Sequence, residues 1–134
     1  MKKRKKSACE FSSQRSEFLI RNFREAIARE SFITAKKIFQ DVTELPAPRF
    51  WVSEIRALKV IQAILRGEDV LEGMLPHKRE MYKEIYRRVT ELRLKNPDTP
   101  LGDLVFEVVN SEAPCSYMGW DRAGKLINEV RNKR

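Results

Sequence analysis

The residues of this chain with the most suggestive chemistry are two basic pairs at matched positions. Arg56 and Lys59 stand 66 residues before Arg122 and Lys125. A spacing of three places both side chains of a pair on one side of a helix. Guanidinium and ammonium groups presented in this way are suited to phosphate oxygens. The pattern therefore predicts a nucleic-acid contact that occurs twice in the chain.

Further basic residues extend this candidate interface. The chain of 134 residues carries a net charge of +8, which suits a polyanionic partner. Residues 2–6 are all basic, and the repulsion between them predicts a disordered arm over residues 1–12 that attracts phosphates. The predicted nucleic-acid-binding residues are Lys2, Lys3, Arg4, Lys5, Lys6, Arg49, Arg56, Lys59, Arg66, Arg122 and Lys125.

Motifs for catalysis and metal binding are missing from the sequence. It contains no phosphate-binding glycine loop, no GxSxG and no HExxH, and its only histidine is His77. The two cysteines, Cys9 and Cys115, are far apart and neither belongs to a CxxC pair, which favours free thiols. We therefore predict a protein that is not an enzyme and that uses no metal or other cofactor.

The basic pairs belong to a longer internal repeat. Residues 17–66 align with residues 83–132 without a gap and share nine identical positions, where chance would give about two or three. The alignment predicts one folding unit duplicated in tandem. The identical pairs are Arg21/Arg87, Glu25/Glu91, Val42/Val108, Ala47/Ala113, Pro48/Pro114, Arg56/Arg122, Ala57/Ala123, Lys59/Lys125 and Ile61/Ile127.

Apolar spacing predicts three helices in each repeat. The three-and-four spacing within residues 18–27 and 81–92 is typical of a helix with one buried face. The second helices follow Thr34 and Thr99, both suitable N-caps, with Pro100 in the first turn of the later one. Proline-containing connectors at residues 46–53 and 112–119 are expected to be extended.

The third helices carry the basic pairs. For the earlier of the two, Ser53 is a suitable N-cap and Gly67 a suitable C-terminal stop. Within this helix, Ala57 and Ile61 are predicted core residues, and Ala63 is predicted to lie on the face that carries the basic residues. Gly124 lies inside the later helix, at a cost of about 1 kcal/mol relative to alanine. We expect the later helix to be the weaker one.

These elements predict an all-α fold made of two tandem three-helix repeats that resemble helix-turn-helix units and pack together. The predicted division is a disordered basic arm at residues 1–12, a first repeat at 13–67, an acidic linker at 68–78 and a second repeat at 79–134. The linker contains several apolar residues, so we expect it to pack between the repeats.

Two interpretations of the repeated residues stay open. The third helix with its basic pair suits entry into a DNA major groove, but a connector of about eight residues is longer than the usual three- or four-residue turn. Alternatively, Arg56 and Arg122 are structural and pair with Glu25 or Glu91. Trp51 and Tyr117 in the connectors are interpreted as core anchors in preference to platforms on which bases stack. Any phosphate contact of Arg49 is limited to one repeat, because Cys115 replaces it in the other.

Two segments resemble a known group of proteins. The stretches APRFWVS at residues 47–53 and KREMYKEIYRRV at residues 78–89 are similar to small tandem-repeat proteins of gut bacteria and their phages, over about residues 45–130. The resemblance implies a bacterial or phage origin, and a role on mobile DNA only by association. It implies no biochemical activity.

The sequence as a whole favours a non-enzymatic DNA-binding protein, regulatory or architectural, with double-stranded DNA as its expected partner. The alternative is a small adaptor or structural protein that binds another protein. No apolar run approaches the length of about 20 residues that spans a bilayer, so we expect no membrane association and a cytoplasmic location. The sequence assigns no oligomeric state.

Overall fold

A computed structural model describes residues 11–29 and 35–132, and in this part of the chain every regular element is a helix. The predicted all-α class is confirmed. Lys2 to Lys6 and the Thr34 cap lie outside the described residues. The helices are α1 (Ser12–Arg29), α2 (Ala35–Thr43), α3 (Glu54–Leu65), α4 (Pro76–Lys95), α5 (Leu101–Val109) and α6 (Trp120–Asn132).

The helix bounds recur at the interval of the sequence repeat. Helices α2 and α5 begin and end 66 residues apart, and α3 and α6 begin 66 residues apart. Two bounds differ from the prediction. Helix α1 begins at Ser12, inside the range of the predicted arm, and α4 begins at Pro76, inside the predicted linker. Proline has no N–H to leave unsatisfied, so it suits the first helical position of α4.

Local signals end and begin α3 as predicted. The Ser53 hydroxyl accepts the Arg56 N–H at 3.1 Å and caps the first turn. Gly67 adopts the left-handed φ of 85°, so that its N–H reaches the Ile64 carbonyl while the Glu68 N–H reaches the Ala63 carbonyl. These two bonds satisfy carbonyls that have no partner inside the helix.

The Thr99 cap is a wrong prediction. Pro100 keeps an extended ψ of 144° and itself occupies the N-cap position of α5, and no side chain caps this end. Helix α5 therefore starts at Leu101, and Thr99 lies one residue too early to cap it.

The helices form two compact units that do not coincide with the predicted repeats. The split unit consists of Met1–Pro46 and Pro114–Arg134 and contains α1, α2 and α6. The continuous unit consists of Ala47–Ala113 and contains α3, α4 and α5. The third helix of each predicted repeat, α3 or α6, therefore packs on the first two helices of the other repeat.

The alanines of the repeated Ala-Pro motif pair with each other. The Ala47 N–H donates to the Ala113 carbonyl at 2.9 Å, and the Ala113 N–H donates to the Ala47 carbonyl at 2.8 Å. This isolated antiparallel bridge joins equivalent positions of the two repeats. Both alanines are buried, and each precedes a proline that favours an extended conformation at that position.

Each connector also bonds to the second helix of the other repeat. The Phe50 N–H donates to the Val109 carbonyl in the continuous unit, and the Ser116 N–H donates to the Thr43 carbonyl in the split unit, both at 3.0 Å. These bonds are equivalent under the 66-residue shift. These connector N–H groups thus find their partners outside their own repeat.

Each unit has its own apolar core. In the split unit the Phe23 and Phe39 rings stack with their centroids 5.5 Å apart. Ala63 on α3 is 6% exposed, so its predicted place among the outward basic residues is wrong. Other core residues are Leu19, Ile38, Val42, Leu126 and Ile127 in the split unit and Phe50, Ile61, Tyr82, Ile85, Leu104 and Val105 in the continuous unit.

Gly124 allows α6 to approach α2 closely. A Cβ atom at Gly124 would lie 2.5 Å from Cε2 of Phe39, a distance at which one of the two groups must move. The equivalent residue of α3 is Leu58, which lies beside Gly102 of α5 instead of beside a phenyl ring. The glycine that weakens α6 locally is therefore required by its packing.

We predict that Gly124→Ala lowers the free energy of unfolding by about 1–3 kcal/mol, because overpacking against Phe39 outweighs the gain in helix propensity. Gly102→Ala is the matched control. Its Cβ would lie 3.8 Å from Leu58, an ordinary contact, so it should raise stability by up to about 1 kcal/mol. Urea unfolding followed by circular dichroism measures both, and equal stabilisation by the two alanines would contradict the close contact.

Candidate nucleic-acid interface

The candidate residues that the structure describes are divided between the two units. Arg122 and Lys125 lie on α6 in the split unit, whereas Arg56 and Lys59 lie on α3 in the continuous unit. Arg56, Lys59 and Lys125 are exposed, but Arg122 is half-buried. Two residues that are equivalent in sequence therefore have different access to a ligand.

Arg49 is held by its own unit. Its Nε donates to the Phe50 carbonyl at 2.9 Å and its Nη2 to the Val52 carbonyl at 2.7 Å. Its Nη1 donates to Oδ1 of Asn110 at 3.2 Å, and Glu54 lies 4.0 Å from Nη2. The guanidinium thus fixes the connector against the end of α5, and this geometry favours a structural role over a phosphate contact.

The position equivalent to Arg49 in the second repeat has no guanidinium to make these hydrogen bonds. Cys115 stands there, and burial raises the pKa of its thiol. Arg66, the remaining candidate in the continuous unit, is exposed and donates to Glu68 at 2.8 Å. This hydrogen bond lowers the pKa of the Glu68 carboxyl and keeps an anion beside the arginine.

The net charge lies entirely in the split unit. Its two segments contain sixteen Lys and Arg residues and eight Asp and Glu residues, which gives the full +8. The continuous unit contains eleven of each and is neutral. The described part of the split unit contains nine Lys and Arg residues and six Asp and Glu residues, so it is basic even without Lys2 to Lys6.

Several basic side chains of the continuous unit are paired with its carboxylates. Arg87 donates to Glu84 at 2.7 Å and to Glu91 at 2.6 Å, and Arg88 donates to Glu84 at 2.7 Å. The bond from Arg87 is the main reason that the pKa of Glu84 is lowered. Arg88 also donates to the Glu112 carbonyl, which ties α4 to the second connector. Glu91, predicted from sequence as a candidate partner of Arg56 or Arg122, accepts a hydrogen bond from Arg87 of its own helix.

The split unit contains a pair that the sequence analysis missed. The Lys36 ammonium lies 5.1 Å from the ring centroid of Trp120, and Trp120 is 39% exposed. Gly102 and Glu54 occupy the equivalent positions, so the pair occurs in one unit only. The pair is not among the residues shared by the two repeats, and its signal in the sequence is an aromatic at a position where the other repeat has a carboxylate.

The connector aromatics differ in exposure. Trp51 is buried in the continuous unit, as expected for a core anchor. Tyr117 is half-buried and adopts a φ of 53°, a left-handed conformation that is unusual for a bulky residue. Tyr117 lies three residues before Trp120, in the segment that leads into α6.

Within residues 11–29 and 35–132, no three or more His, Cys, Asp and Glu side chains are grouped so as to hold a metal ion. In the same described ranges, no helix combines the length and the apolar character needed to cross a membrane. Comparison with protein families, curated proteins and solved structures finds no match to this chain.

We predict that Arg49→Met lowers the free energy of unfolding by about 2 kcal/mol, because it removes charged donors from two connector carbonyls. Lys59→Met, at an exposed site, should change it by less than about 0.5 kcal/mol. Thermal and urea unfolding measure the difference. A loss of DNA affinity at unchanged stability in Arg49→Met would instead assign Arg49 to the interface.

Proposed function

We propose that this protein is a non-enzymatic DNA-binding protein, regulatory or architectural, that contacts phosphates mainly through its split unit. The observation that carries the proposal is the charge division, with +8 in one compact unit and none in the other. Bacterial or phage origin and a cytoplasmic location are part of the same proposal. Double-stranded DNA is the expected partner in this proposal, because its closely spaced phosphates attract the excess of cations in the split unit.

Electrostatic attraction supplies the binding free energy in this proposal. Exposed Lys36 and Lys125 and half-buried Arg122 lie on two helices of the split unit that pack together. Lys2 to Lys6 belong to the same unit by sequence and add five more cations. Each phosphate that these groups neutralise releases counterions, which makes affinity fall steeply with salt.

Helix α3 has a secondary role in this proposal. Arg56 and Lys59 are exposed and supply two cations, but the unit that carries them is neutral and attracts DNA only locally. A tandem duplication accounts for the presence of the basic pair on both third helices, and the 66-residue interval between helix bounds supports it. After duplication, the split unit would have kept the greater share of the phosphate contacts.

We predict that Lys125→Glu weakens duplex binding by about fivefold or more at low salt and reduces the slope of log K against log salt by about 1. Lys59→Glu is the matched control, since it makes the same change at the equivalent site of the neutral unit. Its effect should be smaller because fewer phosphates lie near a neutral surface. Fluorescence anisotropy with a labelled duplex at two salt concentrations measures both.

Two results would contradict the proposal. The first is parent binding that does not change with salt, or is undetectable at low salt. The second is an equal loss from Lys59→Glu and Lys125→Glu, which would remove the preference for the split unit while leaving DNA binding itself.

The alternative function is an adaptor or structural protein that binds another protein. The observation in its favour is that the neutral continuous unit exposes large apolar side chains, including Ile55 (70%), Leu94 (80%) and Phe106 (58%). Neutral surfaces with exposed apolar groups are suited to protein partners. This function does not compete with DNA binding for the same unit.

A further inference from the structure

We propose that Trp120 and Lys36 form a binding site for an unpaired nucleotide, whose base stacks on the indole while its phosphate binds the ammonium group. The inference rests on the DNA-binding function proposed above and adds to it, because duplex DNA binds through its phosphates and this site takes an unpaired base where the duplex is open. The site selects single-stranded segments or opened ends over intact duplex.

The packing of α2 against α6 fixes this pair in place. Lys36 lies three residues before Phe39 on α2, and Trp120 lies four residues before Gly124 on α6. Phe39 and Gly124 are in tight contact, and about one turn nearer the N-terminus of each helix Lys36 and Trp120 are brought together at the surface. Two helices held by a close backbone approach position a site more accurately than a loop does.

The chemistry of the pair fits a nucleotide. An indole presents a large flat face, and stacking of one base on an aromatic side chain contributes about 5- to 150-fold in affinity. Lysine is a compact cation on a flexible stem, so it moves from the ring to a neighbouring phosphate without a change in the backbone. A base and its phosphate thus replace one cation–π contact with two interactions.

Intact duplex DNA does not offer an unpaired base that can stack on the indole. Its bases are stacked on each other, and extruding one to reach an external indole costs unstacking and unpairing. Single strands present their bases without that cost. The indole therefore discriminates between the two forms, whereas the lysines that contact only phosphate do not.

The surrounding charges are compatible with a nucleotide. Exposed Lys125 lies on the same helix as Trp120, and Lys37, next to Lys36, is paired with Asp41 at 3.1 Å. Asp121 is the nearest carboxylate in sequence, and its Oδ1 accepts the Arg122 N–H at 2.9 Å. In the continuous unit the equivalent of Trp120 is Glu54, an acidic residue that would repel a phosphate.

The test compares single-stranded and duplex DNA of equal length, about 20 nucleotides, by fluorescence anisotropy with the full chain. Trp120→Ala should weaken binding to labelled oligo(dT) by about tenfold and binding to the duplex by less than about twofold. Trp120→Phe should retain part of the single-strand affinity, because a smaller ring still stacks. Melting temperatures of all variants establish that the fold is kept.

Matched variants separate stacking from general effects. Phe106→Ala removes an exposed aromatic from the neutral unit and should leave both affinities unchanged. Lys36→Gln should weaken oligo(dT) binding more than Lys37→Gln, although both remove one charge from the same helix. Trp51→Phe leaves Trp120 as the only tryptophan, and its emission should be quenched when oligo(dT) is added.

The outcomes distinguish the two proposals. Equal losses of single-strand and duplex affinity in Trp120→Ala, or unchanged Trp120 emission at saturation, would overturn the stacking site and leave the DNA-binding function in place. Failure of the parent chain to bind either form at low salt would overturn the proposed function and this site with it.

Discussion

The close contact between Phe39 and Gly124 is the constraint on which the arrangement of this protein depends. It sets how near α6 approaches α2, and a side chain at that glycine would collide with the phenyl ring. Helix α3 has Leu58 at the equivalent position and packs in the continuous unit, where Leu58 lies beside Gly102 of α5. Large residues thus face small ones in both units, and exchanging the third helices would place leucine against phenylalanine. Size matching therefore favours the observed partners over the alternative in which each repeat folds on itself.

The connectors allow each third helix to pack on the first two helices of the other repeat. Their alanines bond to each other, and three residues later the N–H groups of Phe50 and Ser116 bond to the second helix of the opposite repeat, so these connector groups have partners without a sheet. Arg49 fixes one connector through the carbonyls of Phe50 and Val52, and Arg88 holds the other through the carbonyl of Glu112. The most distinctive motif in the sequence thus has a structural explanation: it encodes the route of the chain between units.

The packing of α3 and α6 on the helices of the other repeat has an electrostatic consequence. Counted along the chain, the positive charge is spread over the arm and both repeats, but counted by compact unit it is confined to one of them. In the continuous unit, Arg87 and Arg88 are paired with carboxylates, whereas the split unit presents Lys36 beside an exposed indole. The excess of cations in the split unit is the basis of the proposed function, and the Lys36–Trp120 pair is the basis of the proposed nucleotide site.

The sequence by itself determined the helical class, the two ends of α3 and the 66-residue period, because apolar spacing, the Ser53 cap and the Gly67 stop act within a few residues of where they occur. The exposure of Lys59 and Lys125 also followed from periodicity. Tertiary structure decided which helices pack together, since the apolar faces of α3 and α6 have the same spacing and the spacing alone does not distinguish the two pairings. It also brought together Lys36 and Trp120, which are distant in sequence and have no counterpart in the other repeat. The choice of which helices pack together depended on the volumes of single side chains at a helix contact, which a pattern of apolar and polar residues does not record.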